Sequence, residues 1–353
     1  MNVRLSFLII PALLIAAGVV NAESTPSTSL LVLSKGNLTL SIVDPANLHV
    51  VAHMPSGPDP HEVIASSDGR FAYVSNYGSN NFITVVDLTE QKTLPAIDLG
   101  PLHSPHGLVY VGGKLWFTAE GAKVIGSYDP ATKKVDWILG TGQNRTHMLY
   151  VFDDLKRIIT SNVASATMTF LDKGNAAAGR GPGPGPGGPP PGNGPGPGRG
   201  NPQGDWDETV VAVGRGAEGF DVAPGGRELW AANAQDGTIS IVDIAGKKVT
   251  QTLAADVMGA NRLKFTPDGK LVLVSTLNGP DVSIFDAATR SVVKRVKVGR
   301  GAAGILLQPD GSRAFIGCTP DDYVAIIDLK SLAVIGHIDA GKQPDGLAWA
   351  VRR

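Results

Sequence analysis

From Phe71 to Gly100 apolar and polar residues alternate in three short runs, FAYVS, FITVVD and KTLPAIDL, broken by a Gly/Asn cluster and by a turn that starts at an Asp. Alternation at period two marks β-strands, and the breaks mark the turns between them. The tail of this unit, an apolar pair followed by Asp, recurs at Asp44, Asp87, Asp129, Asp172, Asp243, Asp286 and Asp328. Successive copies lie 43, 42, 43, 71, 43 and 42 residues apart, and the long interval holds a Gly/Pro-rich run, Ala176 to Gln203. Seven copies of a unit just over forty residues long predict an all-β fold, a seven-bladed β-propeller of four-stranded antiparallel blades. One such sheet cannot cover both of its faces, whereas stacking neighbours around an axis covers them and leaves only short edges.

The order of signals inside the unit supports this. A short lead segment precedes a first strand, an Asp-Gly or Gly-Gly turn, and a second strand, as in PHEVIAS, SDGR, FAYVS and again in NRLKFT, PDGK, LVLVS. The recurrent Asp is expected to be structural, bonding backbone N–H groups of the turn into the fourth strand. The blades fall at 30–57, 58–100, 101–142, 143–216, 217–256, 257–300 and 301–341. The first lacks an inner strand, and the chain ends in QPDGLAWAV, which matches the inner strands elsewhere, so Asp345 to Val351 is expected to close blade one. The Gly/Pro-rich insert of blade four, 175–204, has neither a strict Gly-X-Y period nor apolar residues to bury, which excludes collagen and a packed subdomain; a disordered surface loop is expected.

The N-terminus changes the picture of where this fold works. Arg4, the apolar stretch Leu5 to Val20 and the small residues before Glu23 form a secretory signal over residues 1–22, with cleavage after Ala22. A short linker, 23–29, and the propeller, 30–353, then make up an exported, periplasmic or secreted, monomeric protein with no transmembrane span. The one cysteine, Cys318, excludes an intrachain disulfide and reads as a buried, inert thiol. A formal net charge of −1 argues against a partner recruited mainly by electrostatics. With 6% aromatics, it also argues against a nucleic-acid surface. The basic pairs Lys133-Lys134, Lys247-Lys248 and Lys294-Arg295 fall on outer strands, where charge keeps an edge from pairing.

The stretch SSDGRFAYVSNYGSNNFITVVDLTEQKTLPAIDLG resembles the YVTN-type propeller repeat, whose signature reads Tyr73-Val74-Ser75-Asn76 in this chain. The likeness is close in blade two, fair in blades five to seven, and weaker in blades three and four, where LWFTAE and IITSNV stand in its place. It implies a seven-bladed propeller of the quinoprotein amine-dehydrogenase-like class, commonly exported, and implies little about activity.

Chemistry is expected where the inner strands begin. The lead residues align as His61, His106, His147, Glu218, Asn261, Ala303 and Asp345, each one step before its inner strand, so that all ring the channel on one face. The second strands return to that face with Asn76, Glu120, Asn162 and Asn233, and Arg145 lies beside His147. Of the other histidines only His103 falls near this rim; His49, His53 and His337 do not. Three roles fit such a funnel. The groups can simply hydrate a polar channel. They can bind a small molecule, peptide or protein partner, which makes the chain a binding or scaffold module. Or His61, His106 and His147, with Glu218 or Asp345, can hold a divalent metal as cofactor and support a lyase or lactonase-like hydrolase. The 45- and 41-residue spacings of the histidines are the blade period and identify no metal motif. There is no phosphate loop, nucleophile elbow or haem attachment sequence.

Overall fold

The computed structural model describes residues 23–174 and 206–352. The expected signal segment, 1–22, and the insert, 175–204, lie outside the described residues. Within them the chain forms twenty-eight strands in seven four-stranded antiparallel sheets, a seven-bladed β-propeller. Each blade runs from an inner strand at the axis, through a second and third, to an outer strand. In blades two to seven the strands fall within the limits read from the sequence. Blade two, for instance, comprises Pro60–Ala65, Phe71–Asn76, Phe82–Asp87 and Lys92–Asp98. Among the described residues the one helical element is a single 3-10 turn, Thr319–Asp321, and no helix is long and apolar enough to cross a membrane.

The C-terminal strand Pro344–Val351 is the inner strand of blade one. It pairs antiparallel with Thr28–Ser34, from Thr28 opposite Val351 to Ser34 opposite Pro344. Blade one therefore starts at Thr28, ahead of the expected Leu30. The preceding residues are no loose linker: Thr25 is buried and its hydroxyl donates to the Leu88 carbonyl at 2.5 Å in blade two.

The core lies between blades. Alternate residues of the second and third strands pack against the next sheet, as Leu31, Leu33, Leu40 and Ile42 of blade one do against Val63, Val74 and Val86 of blade two. The outer strands alternate only weakly and carry the basic pairs at or beside their starts or within them, as expected. Six of the seven repeated Asp residues accept backbone N–H bonds in the turn that follows; Asp87, for example, takes those of Thr89 and Glu90 at 3.0 and 3.1 Å. Asp172, at the start of the insert, differs. It pairs instead with Arg157 and Lys247, each at 2.5 Å. Cys318 is buried at the end of its strand, and burial pushes its thiol up to about 12.

Candidate binding site at the channel mouth

The lead residues are not one step before the inner strands, as the sequence alignment placed them. Each is the second residue of its strand, as His61 is in Pro60–Ala65 and His106 in Pro105–Val111. The register explains how they reach the axis. In all seven blades the inner strand advances three residues while its partner advances two: Pro60 faces Asn76, but Val63 faces Val74. Such a bulge re-aims the side chains at its start. A hydroxyl opposite the bulge fixes it in several blades. Thr118 Oγ1 accepts from the Gly107 N–H (2.9 Å) and donates to the His147 carbonyl of the next blade (2.6 Å). Ser161 and Ser275 make the same double connection.

This geometry brings His61, His106 and His147 together as a stack across blades two, three and four, with ring centroids 4.6 and 3.7 Å apart. His103 lies on the loop before His106, and His49, His53 and His337 lie on outer strands. His147 Nδ1 hydrogen-bonds Glu120. Its Nε2 is 3.1 Å from Glu218 Oε1 but off the hydrogen-bonding line, so this nitrogen has no hydrogen-bond partner. Arg145, held at φ +54°, reaches both carboxylates, 3.4 Å from Glu120 and 3.5 Å from Glu218. His61 turns the other way: Lys35 Nζ, which can only donate, is 2.6 Å from its Nδ1 and also 3.0 Å from Asp345, with Asp59 at 3.6 Å.

Two residues here escaped the sequence alignment. Glu120 lies one step past the second strand of blade three, Lys114–Ala119, whereas Asn76, Asn162 and Asn233 end theirs. The true equivalents of Glu120 are Tyr77 and Lys35, and both reach the histidine cluster; the Tyr77 hydroxyl donates to Glu120 Oε2 at 2.5 Å, and Lys35 contacts His61. The three expected asparagines bond within the blades and their junctions through Nδ2, while the buried Oδ1 of Asn233 has no partner. Asn76 Nδ2 donates to the carbonyls of Ser56 and Pro58, each at 2.8 Å. Asn162 and Asn233 bond threonine and serine hydroxyls beside them. The alignment also missed Glu62 and Arg262, one residue deeper than the lead positions, which form an ion pair across the channel between blades two and six.

Charge at the site is set by these contacts. Burial by itself disfavours a charged His147, but the hydrogen bond to Glu120 and the nearby carboxylate of Glu218 prevail and raise its pKa. Burial would likewise raise Glu218, yet its contact with His147 and the nearby arginines bring it down to about 2. His106 is the opposite case. Complete burial, reinforced by the positive charge around it, holds it well below the ordinary histidine range, and neither of its ring nitrogens has a hydrogen-bond partner. Of the expected donors His61, His106, His147 and Glu218, two come together with a third residue, and Glu218 Oε1 is 3.1 Å from His147 Nε2. One atom each from His106, Glu120 and His147 lie within 4.8 Å of one another, and all three residues are buried.

No protein-family model and no curated protein matches this chain. Solved structures do. A candidate 6-phosphogluconolactonase from Bacteroides fragilis is 15% identical with a TM-score of 0.71, over 93% of this chain and 99% of its own. A second candidate 6-phosphogluconolactonase, from Bacteroides uniformis, is 12% identical with a TM-score of 0.69, over 91% and 99%. Hydrazine synthase from Kuenenia stuttgartiensis is 16% identical with a TM-score of 0.63, over 82% and 89%. At these identities the likeness is one of fold, the β-propeller, and a propeller hosts many functions.

Proposed function

We propose that this chain is an exported propeller of the YVTN-repeat kind that binds a small ligand in the well at the mouth of its channel. The observation that carries this reading is His106: an imidazole with no solvent exposure whose two nitrogens both lack a partner. A buried polar group left unpaired costs about 1–3 kcal/mol. A ligand that meets those nitrogens removes that cost, which is a reason for the group to be there. The surrounding charge selects the ligand's sign. Asp59, Glu62, Glu120, Glu218 and Asp345 stand against the permanent cations Lys35, Arg145 and Arg262. That balance favours a cationic or hydrogen-bond-donating ligand over an anionic one. Export follows from the signal over residues 1–22.

The test is a thermal-shift screen of small cations, neutral polar compounds and metal salts against the native protein and a His61→Ala/His106→Ala/His147→Ala variant. Ligands that raise the melting temperature of the native protein are expected to leave the variant unmoved; equal shifts in both place binding elsewhere and end this reading. A second reading, hydrolysis of a lactone, is favoured by the pairing of His147 with Glu120, a base oriented by a carboxylate. Turnover of sugar lactones that vanishes in His147→Ala would support it, and a panel without turnover removes it.

A further inference from the structure

We infer that the ligand of the well is a divalent transition-metal ion held by His106, Glu120 and His147, an assignment that rests on the binding reading above. The three donors come from two adjacent blades: His106 and His147 from inner strands, Glu120 from the loop just past the second strand of blade three. Their approach to within 4.8 Å is close to what an ion requires, since bonds of about 2.0–2.2 Å place tetrahedral ligand atoms roughly 3.4 Å apart. His147 Nδ1 now hydrogen-bonds Glu120, so an ion at this place replaces that bond. Two imidazoles and one carboxylate select an ion of the zinc, cobalt or copper type; magnesium and calcium prefer oxygen.

Three further observations agree. His106 has two free nitrogens in a site closed to solvent, so one can bind an ion with no hydrogen bond to surrender. The carboxylate is already oriented from outside the donor set, because the Tyr77 hydroxyl and Arg145 both engage its Oε2, and such outer contacts are what fix a metal ligand. Finally, five carboxylates face three permanent cations around the well, an excess of two negative charges that a dication cancels. His61 stays outside the set because Lys35 occupies its Nδ1.

The experiment is titration of tag-free, chelator-treated full-length mature protein with Co2+, read by its visible absorption, followed by displacement with Zn2+. One equivalent of Co2+ is expected, with a spectrum of low coordination number. His106→Gln and Glu120→Gln, each shown by circular dichroism to keep the sheet signal, are expected to weaken binding by at least about 100-fold, the upper end of what loss of an outer contact costs. His53→Gln and His337→Gln, on outer strands, should bind as the native protein does. Absence of stoichiometric Co2+ and Zn2+ binding, or equal affinity in His106→Gln, overturns the metal assignment. If a small organic ligand then still needs His106, the binding reading survives alone; if none does, both fall.

Discussion

His147 shows how one side chain can be read from both sides of its contacts. Its folded pKa lies above the ordinary 6.5, so the stability it contributes is fully present below that value and is lost as pH rises through the raised one. Glu218 is lowered from 4.5 to about 2, so its contribution is present above 4.5 and is lost as pH falls toward 2. The contact between the two contributes to both shifts, beside that of His147 with Glu120, and together they leave a window between 4.5 and 6.5 in which it is complete. The melting temperature of the metal-free protein should peak in that window and decline on both sides. Glu218→Gln should flatten both limbs, most clearly the acid one. Melting curves recorded from about pH 3 to about pH 9 decide this, and superimposable profiles for the two proteins would show that the contact does not form.

The strand is the scale at which the blades are locked to one another. Gly107 follows His106 in the bulge, and a Cβ there would lie 2.6 Å from the His147 carbonyl oxygen, with Leu149 at 3.0 Å. Gly107→Ala should therefore cost about 1–3 kcal/mol in chemical denaturation, as overpacking does, and should also weaken Co2+ binding by shifting His147 away from His106. Removing residues 344–353 takes away the inner strand of blade one and uncovers Leu31, Val32 and Leu33, all with no exposure in the closed ring. The melting temperature should fall by at least about 10 °C, the scale of several kcal/mol for a chain of this size. Unchanged unfolding would mean that the ring closes in another way. The strands themselves were legible because the Asp-ended unit, its turns and its period are local features. The bulge was not. It depends on pairing between strands, so plain alternation put the lead residues before their strands instead of second in them, aligned Glu120 with the asparagines, and gave no reason to look at Tyr77 or Lys35.

At the scale of the whole molecule the channel is bridged. Arg262 in blade six and Glu62 in blade two sit 200 residues apart in sequence, on nearly opposite sides of the ring, and pair one residue deeper than the lead positions. The ring of lead residues could be foreseen from the period, since equivalent positions must share one radius and one depth. A contact across the axis could not, because it depends on how two non-equivalent residues extend into a shared space. Burial works against the Arg262 charge, but Glu62, with Asp345 and Glu218 nearby, keeps it ionised. A buried charge stripped of its partner is expensive, so Arg262→Met should destabilise by about 3–5 kcal/mol. Adding Glu62→Met should return at least about 1 kcal/mol of that, the coupling expected of residues in contact. The recovery should be incomplete, because Asp345 and Glu218 lose the same cation. Denaturant unfolding of the two single variants and the double variant measures the coupling directly. Strict additivity would show that the two side chains do not meet across the axis, and the well would then have no floor at that depth.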